Sequence, residues 1–355
     1  MRRLAGRAAF TVGDREYRGE DLVLAAHLWG EFAGLERQTR CGIACLRHLE
    51  THEAGLDAAF VEEAGDAWRY ERDLLSADDM QDWLAGRNLD MDEWLLFVQR
   101  MVARTQCSAE LDEIAEENEV TGEEIDAALY SEIVCSGRLA ELAEQLAGQA
   151  AVFDRAAEQS RAATSSSKAE RKTLLDELPA SVRRKGILGI VPKVIRERAE
   201  LLARVAFTFQ RFIDGIAAPA ALEREIEAHA LEWTRLDCQT VGFAAAEAAR
   251  EAALLVREDG MGLAQAAAIA TSVVEDTPYV LEDVEAPLKD RLVGALPGDL
   301  IGPLAVDGGY VLVSVVNRVA PTAKDPSISG RARDRVIRRT IRREISRRVR
   351  WHERF

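Results

Sequence analysis

An α+β protein is expected from this sequence, on three observations. Apolar residues recur at helical spacing from about residue 20 to about residue 163. Two β-branched runs near residue 300 are joined by an Asp-Gly-Gly connector. Between residues 229 and 321, extended and helical patterns alternate within a short stretch. The expected architecture is a mostly helical N-terminal part with one small hairpin, a mixed α+β domain, and a C-terminal helix that packs back on the N-terminal part.

The hairpin comes first. In "AAFTVGDREYRG", Phe10 to Val12 and Glu16-Tyr17 flank Gly13-Asp14, and glycine supplies the positive φ that a tight turn needs. A helix is expected to open near Glu20 and to run through "DLVLAAHLWGEFAGLERQ". In "SADDMQDWLAGRNLDMDEWLLFVQRMVAR", Ser76 is placed to cap a helix with Met80, Trp83 and Leu84 on one face. Gly86 to Asn88 break it, and Trp94, Leu95, Val98 and Met101 recur at helical spacing beyond. Thr121 and Glu124 stand at the spacing of a reciprocal cap and open another helix pair. "RAATSSSKAERK" then interrupts the apolar pattern and is the best linker candidate, with "GILGIVP" as an apolar break further on.

Past His229 the character changes. "LEWTRLDCQTVGF" alternates as a strand, and "AAAEAAREAALLVREDGMGLAQAAAIAT" reads as helix, a turn at Asp259-Gly260, and helix. "TPYVLEDV" is a short extended piece and "APLKDRLVGAL" a turn or two of helix. In "LPGDLIGPLAVDGGYVLVSVVNR", Ile301–Val306 and Tyr310–Val316 form strands joined by Asp307-Gly308-Gly309. The expected division is a helical domain over 1–163, a linker with connecting helices over 164–228, the mixed domain over 229–321, and a basic helix over 322–355.

Composition narrows the function. With 46 Lys and Arg against 61 Asp and Glu, the net charge of -15 argues against nucleic acid as a partner. No apolar run approaches the roughly 18 to 20 residues that span a bilayer, and "MRRLAGRAAFTVGDREY" reaches charged residues before any long apolar core, so a cytoplasmic location without a membrane partner is expected. Cys41, Cys45, Cys107, Cys135 and Cys238 are odd in number and scattered, as reduced thiols are. Charge is uneven: 105–137 holds ten acidic residues and no Lys or Arg, whereas 331–350 holds ten arginines against Asp334 and Glu344. The tail is expected to fold back on the acidic region, or each patch to be a solvated helix face, with docking of a partner as the other reading.

No phosphate-cradling loop, nucleophile elbow or HExxH helix occurs. Cys41, Cys45, His48 and His52 lie near one helical face, but 11 residues of helix span about 16 Å, too far for one zinc. No metal and no cofactor are expected.

The order strand, two helices, short strand, helix, two strands, with "EDGMGLAQAA", "PGDLIGP" and "GGYVLVSVVNR", resembles the parvulin-type peptidyl-prolyl isomerase domain over roughly residues 232–321. A helical segment with a hairpin, such a module and a returning helix together resemble parvulin-containing chaperones of the periplasmic foldase kind, whose two chain ends form one peptide-binding module. The family implies a histidine in the first strand and another in the last. Here the first strand reads Trp233 to Cys238 and Val311 follows Gly309-Tyr310, so both histidines are absent, and "EDTPYVLEDVEAP" replaces the family's Gly-rich stretch.

Valine and leucine cannot exchange hydrogen bonds with a twisting amide. The resemblance thus implies a peptide binder without catalytic residues, and Trp233, Asp237, Cys238, Phe243, Met261, Tyr279, Tyr310 and Val311 are the candidate peptide-binding residues, the apolar ones being core side chains in the alternative. "DMQDWLAGRNLDMDEWLLFVQRMVAR" and the tail "RRVRWHERF" resemble chaperone-like proteins of ribosomal peptide natural-product maturation. That resemblance implies a precursor peptide or unfolded polypeptide as partner, with a tailoring enzyme or second chaperone-like subunit and a homodimer as further options. An extended leader could add to the sheet edge near Tyr310–Val316, or an amphipathic helical one could lie in a groove; the resembled family favours the groove between the hairpin, the N-terminal helices and the C-terminal helix. An active isomerase and a metal-dependent tailoring enzyme are the alternatives.

Overall fold

The computed structural model describes residues 1–51, 55–159, 188–306 and 308–352, with Lys172, Asp176, Leu178, Pro179 and Val182 between. They form two compact units, Met1–Ile213 with Thr340–Phe355, and Asp214–Arg339. His52, nearly all of the linker candidate, the start of the apolar break and Asp307 lie outside the described residues.

The α+β class and the N-terminal hairpin are as expected. In the first unit β1 (Ala8–Val12) and β2 (Arg15–Arg18) pair antiparallel around Gly13, whose φ is +57°. The helix expected from Glu20 is two helices, α1 (Gly19–Leu28) and α2 (Phe32–Thr51). Gly30 separates them at φ +74°, the left-handed conformation that ends helices, and its N–H bonds to the His27 carbonyl. Apolar residues on both sides of Gly30 hide this stop in the sequence.

Next come α3 (Ala58–Tyr70), α4 (Ala77–Gly86), α5 (Met91–Gln106), α6 (Leu111–Glu117), α7 (Gly122–Cys135), α8 (Arg138–Gln159) and α9 (Pro192–Ile216). Reciprocal caps open α4 at Ser76 and Asp79, α5 at Asp90 and Glu93, and α7 at Thr121 and Glu124, which satisfies amides that the first helical turn leaves unpaired. The apolar faces meet in one core that includes Phe10, Leu24, Phe97, Tyr130, Leu146 and Ile195. Within it the Trp68 ring lies 5.0 Å from Trp83, and its indole N–H donates to the Cys135 carbonyl at 2.8 Å.

A buried charge cluster ties three of these helices. Glu132 on α7 is 1% exposed and accepts from Arg100 (3.2 Å) and Arg104 (2.9 Å) on α5 and from Gln38 (3.3 Å) on α2. Arg100 also donates to the Ser131 hydroxyl at 3.1 Å. Two cations around one carboxylate satisfy its oxygens, and that makes burial of the charge tolerable.

The chain's two ends share a sheet in this unit. β7 (Val349–Trp351) pairs antiparallel with β1, giving the order β2-β1-β7, with Trp351 edge-on to Phe10 at 5.5 Å. Just before it, Arg348 donates to Asp154 (2.8 Å), Glu158 (2.7 Å) and Glu344 (3.1 Å). Gly148 makes room for Ile341, whose Cγ2 lies 2.8 Å from where a Cβ would stand.

The second unit starts with α10 (Pro219–Ala228) and then follows the expected order: β3 (Arg235–Phe243), α11 (Ala246–Arg257), α12 (Leu263–Ile269), β4 (Val274–Val280), α13 (Leu288–Leu292), β5 (Leu300–Val306), β6 (Gly309–Val319) and α14 (Pro326–Arg348), which runs on into the first unit from Thr340. Its sheet is antiparallel in the order β4-β3-β6-β5. On one face Val241, Phe243 and Leu312 pack with the alanines of α11 and α12; on the other, Leu236, Cys238, Ile301, Val313 and Val315 pack with Leu281, Val284 and Leu292. Gly309 is required at the hairpin, because a Cβ there would lie 2.3 Å from the Phe243 carbonyl oxygen.

Among the described residues, no ion pair of the tail arginines reaches the acidic 105–137 window. Arg331 reaches Glu282 and Asp283, Arg335 and Arg339 reach Glu225, Arg333 reaches Asp214, and Arg348 reaches the carboxylates of the first unit named above.

Replacing Glu132 leaves Arg100 buried without its counter-charge. Glu132→Gln is expected to destabilise the first unit by roughly 3 kcal/mol, read as an earlier midpoint in urea unfolding followed by tryptophan fluorescence.

Candidate functional site

The candidate peptide-binding residues do not share one groove. Alternation along the strands sends them to opposite faces of the sheet. Cys238, Tyr279 and Val311 belong to the α13 face. Phe243, Met261 and Tyr310 pack on the α11–α12 face. Asp237 alternates with Leu236 and Cys238 and so points away from the α13 face; its carboxylate accepts from the Arg235 guanidinium at 2.9 Å. Trp233 lies on neither. It precedes β3, is 1% exposed among Ile226, Ile328 and Ala332, and donates its indole N–H to Glu282 at 2.7 Å. Trp233 is therefore a core residue that has no surface to offer a ligand.

On the α13 face the sheet is covered more fully at one end than at the other. Leu236 and Cys238 lie beneath Leu281, Val284 and Leu292. Toward the other end, Thr240 on β3 faces Thr277 across the β4 side with their hydroxyls 2.9 Å apart. Gly242 opposes Val311, and Val311 opposes Leu304 on the far side. Gly242 is exposed, and Val311 and Leu304 are half-buried. Here one exposed glycine adjoins two half-buried aliphatic side chains, while the Thr240 hydroxyl beside them is buried and paired with Thr277. This strip can take an extended chain by van der Waals contact and close backbone approach.

The titratable side chains nearest this strip, Cys238 and Tyr279, are both shifted toward their protonated forms. Burial, with the Asp237 carboxylate as a second cause, pushes the Cys238 thiol up to about 11, so it is protonated at neutral pH. Burial also raises Tyr279. Within Asp214–Arg339 the one histidine of the sequence is His229, which precedes β3 and bonds Glu232 at 2.7 Å.

The sheet's edges were not foreseen. β6 lies between β3 and β5, so the stretch Tyr310–Val316, the edge named as one of two options for a leader, has strand partners on both sides. The reason is topological: the last strand of the domain inserts beside the first, and local pattern carries no sign of strand order. The two edges are β4 and β5.

A second concavity lies in the first unit, and no motif announced it. A cleft of about 770 Å³ is lined by Val23, His27, Phe32, Glu36, Asp126 and Leu188, among others. The His27 ring lies 3.9 Å from that of Phe32, and burial lowers its pKa to about 4. Glu36 is raised, first by burial and then by the neighbouring Asp126. Elsewhere in this unit, Cys41 and Cys45 are buried and burial pushes Cys45 up to about 12; no three metal-binding side chains come together among the described residues.

Comparison with known proteins adds little. No family model and no curated protein matches the chain. Among solved structures, the crystal structure of PrsA from Bacillus subtilis matches at 10% identity and a TM-score of 0.22, covering 62% of this chain and 87% of that one. No helix among the described residues is long and apolar enough to cross a membrane.

Two outcomes follow. Alkylation of Cys238 by iodoacetamide in the native protein is expected to be negligible at pH 7.5, with mass-spectrometric labelling appearing only as the pH approaches 11. Because the folded pKa of His27 is depressed, its neutral form is favoured in the fold. Stability is present above its unfolded value near 6.5 and lost as pH falls toward 4, by up to about 3 kcal/mol. In His27→Gln, that part of the acid-side slope in a pH series of urea midpoints is expected to vanish.

Proposed function

We propose that the chain is a non-catalytic peptide-binding chaperone or recruitment protein with a degenerate parvulin-like domain, acting in the cytoplasm on a ribosomally made precursor peptide that it presents to a tailoring enzyme. The observation that carries the reading is the make-up of the α13 face. The element order from β3 to β6 is the one that the parvulin resemblance implies. Where that family holds an imidazole after Gly-Tyr, this chain holds Val311, beside Gly242 and near the Thr240–Thr277 hydroxyl pair.

Twisting a prolyl amide faster than water allows requires a free group that hydrogen-bonds the amide nitrogen as its conjugation is lost. The Thr240 and Thr277 hydroxyls are bonded to each other, Thr240 is buried, and Val311 offers no hydrogen bond. The exposed Gly242 beside the half-buried Val311 and Leu304 supports holding a peptide by backbone approach and apolar contact instead. A binder that does not turn over suits recruitment, in which a peptide must be delivered intact to another active site.

Two measurements test this. Isomerisation of a proline-containing tetrapeptide in the presence of the protein is expected to keep its uncatalysed time of roughly tens to hundreds of seconds; acceleration would establish the isomerase reading instead. In a pulldown of the tagged chain from its native extract, a short precursor peptide is expected to be enriched and to withstand competition from unrelated unfolded protein. Capture of heterogeneous unfolded chains alone would replace the precursor role with that of a general chaperone.

A further inference from the structure

We infer that the outer edge of β4 is a docking site for an extended, cationic peptide segment, which adds to the second unit's sheet as a fifth strand. This rests on the peptide-binding reading above and names the surface and the chemistry of the bound segment.

Of the two edges, one is closed. The Arg257 guanidinium donates to the Leu300 carbonyl at 3.1 Å and the Gly302 carbonyl at 2.8 Å, and Pro303 has no N–H to offer. Acceptors that a new strand on β5 would need are thus occupied, which is one way in which proteins protect an edge.

The β4 edge is open, and its hydrogen-bonding phase follows from the register. The Leu281 N–H donates to the Thr234 carbonyl at 3.1 Å, so Tyr279, Thr277 and Glu275 are the residues bonded inward, opposite Leu236, Cys238 and Thr240. Val274, Asp276 and Pro278 alternate with them and turn their backbone groups outward. No backbone bond from these outward groups occurs among the described residues. Pro278 stands at an outward position, where its missing N–H costs the β3–β4 ladder nothing. What remains is two N–H donors and three carbonyl acceptors, about 7 Å apart along the strand, the repeat of an antiparallel partner.

The side chains around this edge define the occupant. At the start of β4, Val273 is 78% exposed and Ile269, at the end of α12, is 61% exposed. Glu275 and Asp276 are both exposed and, by alternation, lie on opposite faces, with Asp276 also accepting from Gln239 at 3.3 Å. An incoming strand therefore meets a carboxylate whichever way its basic side chains point, and finds apolar surface at the α12 end. A second copy of β4 does not fit. Symmetric pairing centred on Asp276 or on Glu275 would bring that carboxylate against its own counterpart, and like charges across a ladder are destabilising.

The test uses the full chain and a fluorescently labelled peptide of alternating valine and lysine, with a valine–glutamate peptide as its charge-reversed counterpart, read by anisotropy. The lysine peptide is expected to bind, more weakly as salt rises, and the glutamate peptide not to. Asp276→Pro removes one outward N–H and leaves the inward ladder intact, so it is expected to weaken binding about tenfold, as the loss of roughly one charge-supported backbone bond implies. Asp276→Asn, which keeps the N–H, is expected to lose less and to flatten the salt dependence. Amide exchange of the wild-type protein reads the same edge without a variant: Val274 and Asp276 are expected to gain protection on binding. Peptide binding that leaves both amides unprotected and Asp276→Pro unaffected overturns the edge and spares the peptide-binding reading. No binding of any peptide by the wild-type chain overturns both.

Discussion

Nine cross-strand pairs join β3 to β6, from Arg235 opposite Val319 to Phe243 opposite Tyr310, and this pairing sets what the second unit presents. It puts the last strand in the middle of the sheet. Val311 comes to stand, half-buried, opposite Gly242 on the α13 face, and Gly309 is pressed against the Phe243 carbonyl. It also fixes the faces: a one-residue slip would exchange Leu312 and Val313 between the two cores. The bulge at Val316, where Asp237 faces Asn317 and Cys238 faces Val315, inserts one extra residue, so that Val315 and Asn317, two positions apart, go to opposite faces of the sheet.

Local devices were the legible part of the sequence. The caps at Ser76 and Thr121 appear in the structure because a hydroxyl and a carboxylate three residues apart can satisfy each other's backbone amides wherever the chain goes. The hairpin ending at Gly308 and Gly309 appears for a similar reason, since the turn needs backbone conformations that glycine reaches without strain. Long-range facts were not legible. Strand order cannot be read from alternation, so β6 passed for an edge. Trp233 looked like a groove residue because aromatic rings suit both grooves and cores; only its neighbours Ile226, Ile328 and Ala332, each distant or helical in sequence, decide the matter. Gly30 is not legible as a stop, because a helix stop and a helix-borne glycine look alike when apolar residues follow.

The charge distribution tells a similar story. A basic tail and an acidic window in one sequence suggest mutual attraction, yet surface pairs are worth little and geometry chooses the partners. The tail's arginines find carboxylates on the elements packed against the same helix, such as Glu225 and Glu282, and at its end Asp154 and Glu158. Burial singles out Glu132 from the acidic window. Two arginines and an amide surround it, whereas Glu110, Asp112, Glu113, Glu116 and Glu117 remain at the surface.

The two sheet edges are treated differently, and the difference is physical. A strand edge exposed on purpose must still resist indiscriminate pairing. On β5 the resistance is steric and hydrogen-bonded, through Arg257 and Pro303. On β4 it is electrostatic: Glu275 and Asp276 flank the outward amides, and Pro278 shortens the run of donors. Carboxylates repel acidic strands and copies of the same chain but not basic ones, so the protection is selective where that of β5 is general. On the proposed peptide-binding reading, selectivity by charge on a short, interrupted edge corresponds to weak and reversible capture, the affinity range a carrier needs if its peptide is to be passed on.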